Sequence, residues 1–240
     1  LNVNLSLLRK ENNEIGDLIE SFERIKATLQ RRVKEAEAAK DAVQFQFDAN
    51  MQRAYIETIR ALAMAVEARD VYSAGHLERV AKYATDTGKV LGLDREAMEV
   101  LRDSAYLHDL GKIGIRDSIL TNPDKLTPEE YEEMKKHPII GETIIRPVRS
   151  LSKLCEAVRH HQERWDGSGY PDGLKGEDIP LTARILAVVD MYDALTTERP
   201  YKKALPQKEA IESIKELGGV KLDKKITEAF IGGISKNVTG

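Results

Sequence analysis

The chain has 240 residues, of which 41% are hydrophobic, 32% charged and 5% aromatic, a composition that allows a packed core and is typical of a mostly helical protein. The formal net charge of −3 gives no reason to expect binding to DNA or RNA polymers, so an anionic ligand must be held by local cations. The single cysteine, Cys155, excludes an internal disulfide framework. No apolar run is long enough to span a bilayer and no stretch resembles a signal peptide, so we expect a soluble chain.

The N-terminal part of the chain is rich in alanine and alternating charges, and has no proline between Glu14 and Asp70. Its apolar residues step by four, three and four, which is the spacing of a coiled-coil seam. This spacing becomes less regular after Val33. The first seam residues are Leu18, Phe22, Ile25 and Leu29. We predict one helix from Leu18 to Arg69 that pairs with a second copy as a parallel homodimeric stalk. A single solvated spacer helix is the alternative.

The start of the chain is similar to a HAMP signal-relay module. Leu1–Leu5 resembles the HAMP connector, and Asn13–Leu18 resembles the start of its second helix, where Glu14 and Gly16 match the glutamate and glycine that open it. We therefore divide the chain into a partial HAMP-like segment (1–32), a helical coiled-coil linker (33–69) and a compact domain (70–240). The resemblance implies a cytoplasmic fragment of a longer parent protein anchored in the bacterial inner membrane.

From residue 70 onward, apolar residues recur at helical spacing, and no segment alternates as a strand would. Thr127-Pro128-Glu129-Glu130 combines a capping threonine, a proline at the first helical position and a glutamate at the third, which predicts a helix start. We expect an all-α fold. The predicted helices are Ala74–Leu91, Asp94–Leu110, Thr127–His137, Ser150–Gln162, Leu181–Thr196, Gln207–Leu217 and Asp223–Ser235.

The segment His108-Asp109-Leu110-Gly111-Lys112 places two metal-binding side chains and a cation at one point. Gly111 is expected to let the preceding helix stop and the chain turn sharply, since glycine adopts backbone angles that other residues avoid. Lys112 then lies one turn after His108, within reach of an anion bound at a metal. A His-Asp dipeptide alone is weak support, so the other histidines matter.

Two further histidines fall on inward faces. His76 shares the apolar face of its helix, where a hydrogen-bonded core histidine is the alternative to a ligand. On the Ser150–Gln162 helix, the period of the buried residues puts His161 inward and predicts that His160 faces solvent.

Asp190 lies on a helix that is apolar nearly all round, so its carboxylate needs a cation, either an arginine or a metal. With His137, these inward imidazoles and carboxylates form a ligand set suited to iron, manganese or zinc. The sequence thus predicts a metal site.

Four segments together resemble an HD-GYP domain, a branch of the HD phosphohydrolases, over about Ile56 to Ser235. They are Ala74-Gly75-His76, His108-Asp109-Leu110-Gly111-Lys112, Gly169-Tyr170-Pro171 and Asp190-Met191-Tyr192-Asp193-Ala194-Leu195. The resemblance implies a metal-dependent phosphodiesterase that hydrolyses cyclic di-GMP to linear pGpG or onward to GMP. It implies that His76, His108, Asp109 and Asp190 hold one ion. Asp109 would bridge to a second ion held by His137 and His161.

The chain departs from the family pattern at two positions. Most members carry a second histidine where this chain has Gln162, a poorer ligand that would weaken the second site or leave it to water. Members with a third metal carry an acidic residue at the position of Tyr72, so we expect two divalent transition-metal ions, iron or manganese.

Substrate contacts are expected from cations and from the glycine-rich loop. Lys112, together with the metals, would neutralise charge on the phosphate oxygens during attack by an activated water, which makes Asp109 and Lys112 the catalytic candidates. Arg199 and Lys202 resemble substrate-phosphate ligands, and Tyr170 is expected to line the cleft. A protein partner at the Gly169-Tyr170-Pro171 loop is the competing role. A catalytically weak nucleotide sensor and hydrolysis of another cyclic dinucleotide are the alternative functions.

Overall fold

The computed structural model describes residues 13–69, 74–198 and 203–237. Within these ranges the chain forms α-helices and short 3-10 turns but no β-strand, which confirms the all-α prediction. The α-helices are α1 (Asn13–Glu67), α2 (His76–Val90), α3 (Arg95–Leu107), α4 (Asp117–Leu120), α5 (Pro128–Met134), α6 (His137–Ile145), α7 (Cys155–His160), α8 (Leu181–Thr196), α9 (Gln207–Leu217) and α10 (Lys224–Asn237). None of the helices described combines the length and hydropathy needed to cross a membrane.

Contacts divide the chain into two units, Leu1–Tyr55 and Ile56–Gly240. The described part of the first unit is helical throughout, and its predicted seam residues are exposed: Leu18 by 70%, Phe22 by 64% and Leu29 by 58%. The first part of the HAMP-like segment, residues 1–12, lies outside the described residues. The homodimer and the division at residues 32 and 69 therefore stay predictions.

The larger apolar core of the second unit is built around α8, which packs with α2, α3, α9 and α10. Ile185, Leu186 and Val188 of α8 are fully buried against residues such as Phe230 of α10. A helix buried on nearly every side accounts for its continuous apolar sequence and fixes the position of its polar residue Asp190.

A second apolar cluster joins the end of α1 to this unit. Ala63 and Val66 of α1 are buried among residues from α2, α3 and the segment after α3. The Glu67 carboxylate accepts a hydrogen bond of 3.0 Å from the backbone N–H of Leu77, in the first turn of α2. Arg69 donates to the carboxylate of Asp117 at 2.5 Å and to the backbone carbonyl oxygens of residues 113 and 115 at 3.3 and 3.4 Å. The last turns of α1 are therefore attached to the segments that carry His76 and Lys112.

The start of α5 follows the capping signal in the sequence. The Thr127 side chain accepts from the backbone N–H of Glu130, and the Glu130 carboxylate accepts from that of Thr127, so the predicted capping box is confirmed. The predicted helix Ser150–Gln162 is wrong in detail. A 3-10 turn, Arg149–Leu154, precedes α7, which ends at His160.

Gly111 is required for close packing, and not for the unusual backbone angle that the sequence suggested. It lies in a 3-10 turn, Leu110–Gly114, and is not among the described glycines with positive φ. A Cβ atom at this position would lie 1.9 Å from the backbone oxygen of His137 and 2.5 Å from the backbone nitrogen of Gly141. Its missing side chain therefore lets α6 approach the turn, which brings His137 next to Asp109.

Candidate metal centre and substrate cleft

Five segments bring the predicted ligand residues to one place. His76 opens α2, His108 and Asp109 follow α3, His137 opens α6, His161 follows α7, and Asp190 lies within α8. His108 is fully buried, and His161 and His137 are only 1% and 2% exposed. Two groups of three among the described residues have donor atoms close enough to share an ion: His76, His108 and Asp109, and Asp109, His137 and His161.

Hydrogen bonds to the backbone fix the orientation of three of the imidazoles. The Nδ1 atoms of His108, His137 and His161 each lie 2.8 Å from the carbonyl oxygen of the residue three positions earlier. A carbonyl oxygen only accepts, so Nδ1 carries the hydrogen and Nε2 keeps a lone pair. This is the arrangement by which proteins orient metal-binding histidines.

The Nε2 atoms face each other in two pairs. His137 and His161 approach to 3.1 Å between their Nε2 atoms, and His76 and His108 approach to 3.4 Å. Burial lowers the pKa of His161 to about 4, against the opposing effect of Asp109, and it also lowers the pKa of His108. Nε2 lone pairs that converge in this way repel each other unless a cation lies between them, so this donor set fits a metal centre.

Asp109 lies between the two pairs, with one carboxylate oxygen toward each. Its Oδ1 is 3.2 Å from Nε2 of His137 and 3.7 Å from that of His161. Its Oδ2 is 3.5 Å from Nε2 of His108 and 3.9 Å from that of His76. One carboxylate can therefore contribute to two cation positions.

Lys112 keeps Asp109 ionised. Burial would raise the pKa of Asp109, but the nearby Lys112 cation, together with His108, His137 and His161, outweighs it and holds the pKa well below its usual range. The Lys112 Nζ lies 2.8 Å from Asp109 Oδ2 and lines the cleft described below.

Asp190 and Gln162 complete the cluster. Oδ1 of Asp190 lies 3.6 Å from Nε2 of His76, and the other oxygen lies 3.5 Å from the side-chain nitrogen of Gln162. Burial opposes ionisation of Asp190, but His76 and His108 outweigh it and its pKa is lowered. Gln162 thus lies beside the cluster, in contact with the carboxylate predicted to bind a metal.

Asp193 is a residue that the sequence analysis quoted in a motif without giving it a role. Its Oδ2 lies 2.8 Å from Nδ1 of His76, and it accepts from Arg79 Nε at 2.6 Å. Burial lowers the pKa of His76, but the bond to Asp193 and the charges of Asp190 and Asp109 outweigh it, and the pKa is raised. A second carboxylate only three residues after Asp190 on the same apolar helix was the signal that could have revealed it.

The prediction that His160 faces solvent is wrong. Its side chain is 6% exposed, its Nδ1 lies 2.9 Å from the backbone oxygen of Glu156, and its Nε2 lies 2.9 Å from Asp172 Oδ2. The glycine-rich loop folds back over this end of α7 and covers the position that a regular helix alone would leave open. Neither described donor group includes His160, whereas His161 lies in the cluster as predicted.

The glycine-rich loop is anchored by charged groups that the sequence analysis missed. Arg159 donates to both Asp172 oxygens at 2.7 and 2.8 Å. Glu163 is 1% exposed, and its Oε1 accepts from the backbone N–H groups of Asp172 and Gly173 at 2.8 and 3.0 Å. Helical periodicity says nothing about contacts between a helix and a loop, so these partners become visible only in the folded structure. Together they hold Tyr170 in the cleft wall.

A cleft of about 490 Å³ opens onto the cluster, within the range of small-ligand sites. Its lining includes Asp109, Lys112, His137, Gln162, Tyr170 and Asp190. The predicted phosphate ligands Arg199 and Lys202, and the Tyr72 position, lie outside the described residues.

Comparison with known proteins identifies relatives in the family that the sequence motifs resemble. A family model described as "HD domain" matches residues 60–226. The cyclic di-GMP phosphodiesterase response regulator RpfG of Xanthomonas campestris pv. campestris (strain 8004) is 43% identical over 182 residues, which is 74% of this chain and 47% of that protein. The 3'3'-cGAMP-specific phosphodiesterase 2 of Vibrio cholerae serotype O1 is 37% identical over 177 residues, 73% of this chain and 34% of that protein. The chain thus spans less than half the length of either relative.

The fold also matches a solved structure. Bd1817, an HDG"Y"P protein from Bdellovibrio bacteriovorus, superposes with a TM-score of 0.57 at 21% identity, covering 78% of this chain and 60% of that one. The resemblance seen in the four sequence motifs is confirmed by the family match. The chain therefore belongs to the HD domain family.

Proposed function

We propose that the chain is a metal-dependent phosphodiesterase that hydrolyses cyclic di-GMP to linear pGpG, GMP or both. The observation that carries this proposal is Asp109, whose two oxygens face two separate pairs of histidine Nε2 atoms. The donor set favours two divalent transition-metal ions, iron or manganese. His76, His108 and Asp190 hold one ion, His137 and His161 hold the other, and Gln162 is a weak further ligand of the second.

Divalent ions bound there supply positive charge to the phosphate and lower the pKa of a water so that it can attack phosphorus. The chain's own residues orient the substrate and compensate the negative charge on its phosphates. Lys112 holds Asp109 ionised and presents its ammonium group to the cleft, where it meets the non-bridging phosphate oxygens as they gain charge. Arg199 and Lys202 are proposed to bind the substrate phosphates. Tyr170 forms part of the wall beside them.

Another cyclic dinucleotide is the second candidate substrate. The Vibrio cholerae relative at 37% identity is named for 3'3'-cGAMP, which differs from cyclic di-GMP in one base. A catalytically weak nucleotide sensor is disfavoured, because every histidine and aspartate of the predicted ligand set is present and all lie together.

The test is anaerobic incubation of the iron- or manganese-loaded protein with cyclic di-GMP and, in parallel, 3'3'-cGAMP, with the products resolved by chromatography. We expect cleavage of cyclic di-GMP to pGpG or GMP, and loss of cleavage in His137→Ala. Efficient cleavage of 3'3'-cGAMP alone would replace the substrate assignment. Binding of both nucleotides without cleavage of either, in protein shown to contain metal, would favour the sensor.

A parallel homodimer through the stalk is part of the proposal. The exposed seam that begins with Leu18, Phe22, Ile25 and Leu29 supports a second copy as its partner. Such a stalk can regulate the phosphodiesterase by switching between two packings. An insertion of two residues near Ala38 turns the helix by about 200°, whereas seven residues leave the seam in phase. If both variants stay dimeric and keep wild-type activity, stalk regulation is wrong.

The parent protein is proposed to be anchored in a membrane with this part in the cytoplasm. The support is the HAMP resemblance at Glu14 and Gly16. A protein partner at the Gly169-Tyr170-Pro171 loop remains a further candidate, which pull-down with a loop variant would test.

A further inference from the structure

The wall of the cleft away from the His/Asp cluster carries a second aromatic residue. Tyr131, on α5, lines the cleft together with Tyr170 and is 49% exposed. No residue of α5 is buried, so this ring contributes little to the core. It belongs to none of the motifs that predict metal binding or catalysis.

Tyr131 and Tyr170 form a corner of two rings. Their centroids lie 6.5 Å apart with ring planes at 83°, and Tyr170 meets the ring of His137 at 6.4 Å, again at 83°. Tyr170 therefore contacts both His137 of the cluster and the more exposed Tyr131. A planar group can lie flat on one ring of such a corner and meet the edge of the other.

Lys135 contacts both tyrosine rings. The Lys135 ammonium lies 5.7 Å from the Tyr131 ring centroid and 5.9 Å from that of Tyr170, and it forms an ion pair of 2.7 Å with Glu132. Lys135 is not among the residues that line the cleft. It thus stabilises both rings by cation–π contact while their cleft side stays open.

We infer that Tyr131 is a base-stacking residue of the substrate site. It holds one base of a cyclic dinucleotide in the aromatic corner while the phosphodiester lies at the cluster, an inference that rests on the proposed function. Isolated surface tyrosines are common and carry no meaning, but this one lines the cleft beside a second ring. Stacking does not read the edge of a base, since every base has a flat face. Tyr131 therefore contributes equally to cyclic di-GMP and 3'3'-cGAMP.

The kinetic test compares Tyr131→Leu, Tyr131→Phe and the control Tyr55→Leu, which removes a tyrosine that is 52% exposed and outside the cleft. We expect Tyr131→Leu to raise KM for either dinucleotide about tenfold, the size expected for one lost stacked base, with kcat within about threefold. Tyr131→Phe and Tyr55→Leu should keep the wild-type KM. An unchanged KM in Tyr131→Leu, or an equal rise in Tyr131→Phe, would overturn the inference.

A binding test does not depend on cleavage. In Tyr131→Trp, a base stacked on the new indole should quench its fluorescence on titration with cyclic di-GMP, whereas pyrophosphate, which has no base, should not. Tyr55→Trp carries the same number of indoles and should show no quenching with either compound. Failure of the proposed function appears as wild-type protein that cleaves neither dinucleotide. Failure of the stacking inference appears as absent quenching, whatever the cleavage result.

Discussion

The two sides of Asp109 are built differently. On the His76 side, Asp190 adds a second carboxylate 3.6 Å from the imidazole, and Asp193 lies 2.8 Å from its Nδ1. On the His137 side, the Nδ1 atoms of both imidazoles lie against neutral backbone carbonyls, and the carboxylate near their Nε2 atoms is the shared Asp109. The first side therefore concentrates more negative charge. We expect it to bind a divalent cation more tightly, so that the His137 side is the one emptied first by a chelator.

The largest effect is expected from the residue that both sides share. Asp109→Ala should lose both ions and all measurable cleavage, because its carboxylate faces both pairs. Elemental analysis of the purified variant and a cleavage assay are the measurements, with Glu216→Ala, an exposed carboxylate away from the cleft, as the control. Full metal occupancy in Asp109→Ala would refute the bridging role.

Asp193→Asn should weaken metal binding on the His76 side of Asp109 alone. The amide removes the charge behind His76, and loss of such an outer partner typically lowers metal affinity about 10- to 100-fold. Metal titration should show one weakened and one unchanged binding step. If both steps weaken equally, the two sides are not independent and the comparison fails.

Gln162→His should strengthen the weaker side by a smaller factor, about tenfold, because imidazole is a better ligand than an amide. The measurement is the concentration of chelator that removes the second ion. An unchanged value would mean that position 162 does not reach the metal, and that its contact with Asp190 is its whole role.

The smallest effect concerns the loop beside the His137 side. Arg159, against the opposing effect of burial and with help from His160, lowers the pKa of Asp172 to about 2 from its ordinary value of 3.8. A lowered pKa in the folded state means that the stabilisation is complete above the ordinary value and is lost as the pH falls toward 2. Asp172→Asn should therefore lower Tm slightly at pH 6, and this difference should shrink between pH 4 and pH 2. A difference that is constant across that range would exclude the ion pair as its source.

The sequence predicted those members of the cluster whose position follows from the apolar pattern of a single helix. Asp190 on an apolar helix and His161 on an inward face both needed a polar partner, and both lie in the cluster. Partners from distant segments were not predictable in this way. His160 is covered by Asp172 of a loop, and Gly111 is required by the approach of α6, which no local pattern reports.

The buried end of α1, from Ile56 to Glu67, belongs to the compact second unit of the chain. A protein begun at residue 70 would lack Val66, whose burial is worth about 1.5–3 kcal/mol, and the Glu67 bond to α2. A domain boundary drawn at residue 70 would therefore remove contacts that belong to the folded unit itself.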